Sequence, residues 1–166
     1  TSVTGCIHGM DLAAACGLCC DALTVGRQKV NLLGRNLYIL GGRSIDPPEY
    51  GILAAQGAHL YTPEELAGDR LGRVLADLLP RLADKRVHIS FDVDSLDPSQ
   101  FSSTGYLLPN GLTLDQVRAI LQAVLRTGRT CSFECVEYNP SLDRDGRDLA
   151  TLLDIFRLVS DTLAKT

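Results

Sequence analysis

Positive charge, long apolar runs and paired metal-binding cysteines are all scarce in this sequence, and each shortage removes a class of function. Lys and Arg number 16 against 20 Asp and Glu, a net charge of −4, so there is no basic footprint for nucleic acid. No apolar stretch approaches the roughly 20 residues of a membrane span, and no basic segment leads into an apolar one at the start, so no membrane partner is expected. A small molecule or another protein is the expected partner. Six cysteines are present, but the one Cys-x-x-Cys, Cys16 with Cys19, lacks a second pair to complete a four-ligand zinc site. The cysteines read as buried, reduced thiols behaving as small hydrophobes. Reduced thiols point to an intracellular compartment, most simply the cytoplasm. The chain opens at Thr1 without a Met or a polar leader and is expected to be a piece of something longer. Any targeting signal, a mitochondrial one included, would lie upstream.

What is there suits one domain over residues 1–166: 45% apolar and 22% charged residues, with no repeat, low-complexity tract or linker. Three β-rich runs, 37–40, 87–93 and 131–138, alternate with helical patterns, the βαβ signature of a parallel sheet covered on both faces. A short strand at 59–61 is a further candidate, and Pro47 and Pro48 read as a loop. Leu71, Val74, Leu75, Leu78, Leu79 and Leu82 repeat at helical spacing, with Pro80 ending or bending the helix late. Thr113 with Gln116 forms a capping-box pattern ahead of Val117, Ile120, Leu121, Val124 and Leu125. A last helix starts near Arg147, and residues 10–23 read as another despite Gly17.

The strongest chemical signal is His88-Ile89-Ser90-Phe91-Asp92-Val93-Asp94-Ser95-Leu96-Asp97-Pro98, a strand that turns acidic where it ends. Period-two alternation puts His88, Ser90, Asp92 and Asp94 on one face. Two carboxylates then converge at the C-terminal end of a parallel strand, where open α/β sheets bind ligands. Either a divalent cation relieves their repulsion, for which hard oxygen donors suit Mn²⁺, Mg²⁺ or Ca²⁺, or both simply cap the following turn. Phe133, Cys135 and Glu137 share a face of the next strand, and Glu137 either meets a cationic group or faces solvent. Arg43, Asp46 and Glu49 follow the first strand. His8, one of three histidines, is either structural or a proton carrier.

Together these segments resemble the arginase family within the ureohydrolases, in order and over almost the whole chain. Ser90 to Pro98 resembles the ureohydrolase metal signature, Gly5 to Met10 the Ile-His-Gly-Met turn, Gly42 to Glu49 the Gly-x-Arg-x-x-Asp-Pro-x-Glu loop, and Glu137 to Pro140 the Glu-x-Asn-Pro segment. The resemblance implies a three-layer αβα sandwich with a parallel sheet (α/β class), of which this chain supplies the later strands. It also implies hydrolysis of L-arginine to L-ornithine and urea by a hydroxide bridging two Mn²⁺ ions. By resemblance Asp92 bridges both metals, Asp94 binds one, Glu137 holds the guanidinium and His8 carries a proton to the leaving amine. Thr4, Asp46 and Glu49 match positions that contact or orient the substrate's α-amino and α-carboxylate ends. A homo-oligomer, trimer or hexamer, is implied as well.

Three departures bear on that reading. Cys6 stands where arginases usually place Asn, and Tyr106 where they usually place Thr, both at substrate-binding positions. The family's other metal ligands, a His in a Gly-Gly-Asp-His-type turn and an Asp-x-His-x-x-x-Asp segment, have no counterpart here. The alternatives are therefore a non-catalytic or regulatory arginase-like protein, or a ureohydrolase for another guanidino or amidino compound.

Overall fold

The apolar runs fold into two parallel strand pairs, one in each of two units, residues 1–61 and 62–166. They are seen in a computed structural model that describes residues 5–23 and 30–166. The first unit runs from a 3-10 turn at Ile7–Met10 into helix α1 (Asp11–Ala15), then through 3-10 turns at Asp21–Leu23 and Gly34–Asn36 to strand β1 (Tyr38–Leu40), helix α2 (Pro47–Gln56) and strand β2 (His59–Tyr61). The helix expected over 10–23 is thus only five residues long. Gly17, at φ 74°, takes the left-handed conformation that ends it, and the amides of Gly17 and Leu18 bond back to Ala14 O (3.0 Å) and Ala13 O (2.8 Å) in a Schellman cap.

The Pro47–Pro48 turn, expected as a loop, is instead the first turn of α2. Proline is harmless there because the first helical amides have no intrahelical acceptor and its φ is already helical. Asp46 is the N-cap; its amide donates to Glu49 Oε2 at 2.9 Å, while the Glu49 amide donates to Asp46 O at 2.8 Å. β1 and β2 pair in register from Tyr38 with His59 to Leu40 with Tyr61.

The second unit holds α3 (Asp69–Arg81), β3 (Val87–Asp92), a 3-10 turn at Val93–Ser95, α4 (Leu114–Leu125), β4 (Thr130–Val136) and α5 (Arg147–Leu163). Parallel β3 and β4 need a crossover, and α4 supplies it. α4 starts as its sequence dictates, with Thr113 N donating to Gln116 Oε1 (2.7 Å) and Gln116 N to Thr113 Oγ1 (3.2 Å). Its apolar stripe, Val117, Ile120, Leu121, Val124 and Leu125, is buried, and α4 packs against both α3 and α5. Leu152, Ile155 and Val159 of α5 and Phe91 and Val93 from the β3 end complete this core. Burying each such side chain contributes roughly 1.5–3 kcal/mol. Pro80 sits in the last turn of α3, which ends at Arg81.

Cover on both faces of the sheet, expected from the sequence, is not what β3 and β4 show among the described residues. α5 reaches one face, where Phe133 and Phe156 meet edge to face at 5.8 Å. His88, Ser90, Ser132 and Glu134 alternate onto the other and are exposed. The cysteines also depart from expectation: none of the six forms a disulfide among the described residues, yet only Cys16 is buried, and Cys6, Cys20 and Cys131 are exposed. Cys131 lies at an irregularity, where Val87 pairs with Thr130 but His88 with Ser132. The extra residue of this bulge leaves the regular alternation of the strand.

Candidate active site

Strand β3 stops at Asp92, one residue short of the expected run, because the Asp92 side chain caps the turn that follows. Its Oδ1 accepts from Asp94 N at 3.0 Å, and Ser95 Oγ donates to Asp92 O at 2.6 Å. Asp94 is therefore delivered by a 3-10 turn and not by strand alternation. The capping role foreseen as an alternative is real for Asp92, and it engages one carboxylate oxygen.

Glu137 is delivered by a similar break. β4 ends at Val136, and Glu137 takes φ 65°, so the period-two face expected to join it to Phe133 and Cys135 ends before it. A left-handed residue with a Cβ carries roughly 1–2 kcal/mol of backbone strain, of the kind that collects at functional sites.

These two breaks place Asp92, Asp94 and Glu137 at the ends of two adjacent strands, with Asp94 and Glu137 within electrostatic reach of Asp92. Burial pushes the Asp92 carboxyl up to about 7 from its ordinary 3.8, although the Asp94 amide bond opposes this, and the neighbouring Asp94 and Glu137 carboxylates push the same way. Cys135, on the adjoining strand, is raised to about 11 by burial and then by Asp92. Titratable groups so displaced at the C-terminal end of parallel strands make this a candidate functional site.

The loop from Asp97 to Leu112 frames the acids. Asp97 N donates to Leu112 O and Leu112 N to Ser95 O, both at 2.9 Å, and Leu96 bridges Leu112 in parallel. The Asp97 carboxylate is held low by the Ser99 hydroxyl, at 2.6 Å, and amide. Gly111 lies so close to this crossing that a Cβ would overlap the Asp97 amide and the Leu96 carbonyl. Inside the loop Ser103 and Thr104 are buried, and the Thr104 hydroxyl has no hydrogen-bond partner among the described residues. Tyr106 is 54% exposed on the same loop.

The remaining expected residues belong to the first unit. His8 and Cys6 are exposed at the Ile7–Met10 turn, Asp46 and Glu49 are half-buried at the start of α2, and Thr4 lies outside the described residues. Asp148 was not singled out in the sequence. It is buried at the start of α5 and accepts from the amides of Ser102 (2.9 Å) and Ser103 (2.8 Å). Its one signal was an acid in the first turn of a helix otherwise patterned for burial.

Among the described residues no three His, Cys, Asp or Glu side chains group to hold a metal ion. The donor chemistry of Asp92 and Asp94 nevertheless fits a hard divalent cation, since it would offset the burial and acidic neighbours that raise the Asp92 carboxyl. Two donors are fewer than the roughly six such a cation takes.

A sequence profile of the arginase family matches residues 1–162. An arginase of Bacillus caldovelox is 35% identical over 148 residues, covering 86% of this chain and 49% of that protein. The native structure of Bacillus caldovelox arginase superimposes with a TM-score of 0.83 at 30% identity, over 98% of this chain and 54% of that one. The arginase structure from Bacillus subtilis gives 0.84 at 31% identity, over 96% and 56%. The chain thus spans about half the length of the curated relatives it matches. From the convergence of Asp92, Asp94 and Glu137 and the match along nearly its full length, the chain belongs to the arginase family of metal-dependent hydrolases.

Proposed function

We propose that this chain is the C-terminal portion of one arginase-type domain that hydrolyses L-arginine to L-ornithine and urea. The observation that carries the reading is the meeting of Asp92, Asp94 and Glu137 at the ends of two adjacent parallel strands. Asp92 and Asp94 would hold Mn²⁺, with further ligands drawn from outside the described residues. Two such ions would supply a water acidic enough to lose its proton near neutral pH. Glu137 would take the planar guanidinium cation, which a carboxylate matches in charge and geometry. A proton-carrying role for His8, and substrate contacts by Thr4, Cys6, Asp46, Glu49 and Tyr106, are proposed on resemblance. So are a homo-oligomeric assembly and a cytoplasmic site.

The test is urea release by the full-length protein loaded with Mn²⁺, offered L-arginine, agmatine and guanidinobutyrate. Arginine preferred by a wide margin supports the reading, and a preference for either other compound reassigns the substrate. A folded, manganese-loaded protein inert to all three sinks it and leaves a non-catalytic relative, the reading favoured by the small number of metal donors here.

A further inference from the structure

We infer that Asp148 is a positioning residue for Glu137, acting through the turn at Ser102 and Ser103. The inference rests on the proposed role of Glu137 and adds to it the group that fixes its place. Asp148 is 1% exposed, and its Oδ2 accepts three bonds: Ser102 N at 2.9 Å, Ser103 N at 2.8 Å and Ser102 Oγ at 3.3 Å. Oδ1 faces Arg147 Nε at 3.4 Å. Burial alone would raise its pKa, yet the bonds from Ser102 and Ser103, with Arg147, hold it below the ordinary value. The carboxylate is therefore ionised and committed to two backbone amides. Ionised acceptors make the stronger hydrogen bonds, and removing one strands buried donors.

From that turn the contacts lead to Glu137. Ser103 O accepts from Asn139 N at 2.8 Å, two residues past Glu137. Phe101, just ahead of the turn and 1% exposed, meets the Tyr138 ring edge-on at 6.0 Å. Tyr138 OH donates to Asp143 Oδ2 at 3.0 Å, and Asp143 in turn accepts from Leu149 N at 2.7 Å and Asp148 N at 3.4 Å. Tyr138 and Asn139, the residues that follow left-handed Glu137, are thus tied from both sides to the first turn of α5. Strained backbone persists only where its surroundings over-determine it, and these ties do so. The same turn sets Thr104, whose buried hydroxyl has no partner among the described residues to orient it and takes its place from the backbone.

The experiment compares Asp148→Ala, Asp148→Asn and Asp148→Glu in the full-length, Mn²⁺-loaded protein. Misplacing a binding group by about 1 Å is enough for losses of order a hundredfold. Asp148→Ala is expected to raise KM for L-arginine about tenfold or more, with kcat reduced less and manganese content unchanged. Asp148→Asn keeps an acceptor at the same reach and should restore KM to within about threefold of the parent. Amide hydrogen exchange should quicken at Ser102, Ser103 and Asn139 in the Ala variant and not in the Asn variant. A folded Ala variant with lowered Tm but unchanged KM overturns the inference. If Asp148→Ala does not fold, Asp148→Glu, one methylene longer, is expected to raise KM where Asn does not, and equal KM values overturn it. If the parent releases no urea, the arginase reading fails by itself, and exchange at Asn139 still decides the place of Asp148: unchanged protection there in the Glu variant overturns it.

Discussion

Replacing Asp92 by Asn should abolish a pH dependence of stability that runs opposite to the usual one for a carboxylate. The Asp92 pKa stands at about 7 in the native state against 3.8 ordinarily, chiefly through burial and then through Asp94 and Glu137. An acid raised in this way holds its proton more tightly when folded. Its contribution is complete below about pH 3.8 and is lost as the pH climbs to about 7, above which both states are ionised. At 1.36 kcal/mol per pH unit the gap sets an upper bound of about 4 kcal/mol, which solvent screening of the half-buried carboxyl reduces. Asn keeps the oxygen that accepts from Asp94 N and sheds the charge. Urea unfolding of the 166-residue chain in the presence of a chelator, at about pH 4, 6 and 8, reads the effect. The Asn variant should match the parent at the lowest pH and exceed it by about 1–3 kcal/mol at the highest. Parallel profiles would refute burial and carboxylate crowding as the state of this site.

Further perturbations test neighbouring parts of the argument. Mn²⁺ added at about pH 8 should raise the Tm of the parent and not that of Asp92→Ala, because a ligand that binds only the native state stabilises it by mass action; equal shifts would place the metal elsewhere. Gly111→Ala should cost about 2 kcal/mol or more and loosen the loop over the acids, since its Cβ would meet Leu96 O at 2.6 Å, and a neutral result in thermal unfolding would mean that the crossing yields easily. Leu125→Ala, at a fully buried position, should lose about 2–5 kcal/mol, whereas Leu149→Ala, 45% exposed, should lose under about 1; denaturant midpoints separate the two.

Legibility followed the range over which each signal acts. The helices α3, α4 and α5 were readable because their apolar spacing and the Thr113–Gln116 cap are local and are set by the backbone period. The acids at Asp92, Asp94 and Glu137 were readable as types in order, but the means of bringing them together were not. Period-two reasoning carried both strands too far, since the Asp92 cap and the left-handed Glu137 stop the pleat where the chemistry begins. Pro47 and Pro48 were misjudged because a proline pair breaks a strand yet suits a first helical turn, and the Asp46 cap ahead of them decided between the two. The five-residue α1 was overextended because a single glycine inside an Ala-rich run is tolerated in many helices, whereas Gly17 ends this one. Asp148 escaped notice because its partners lie 45 and 46 residues away, beyond any local pattern.

Under the proposed role of Glu137, its left-handed backbone puts stability and catalytic fitness in opposition at one codon. Glycine there would release roughly 1 kcal/mol of strain and take away a carboxylate that repels Asp92. Variants selected for thermal tolerance alone would therefore drift toward losing the side chain proposed to take the guanidinium. On that reading, directed evolution of this scaffold would need an activity screen in every round, because its most accessible stabilising change at this position would also be a disabling one.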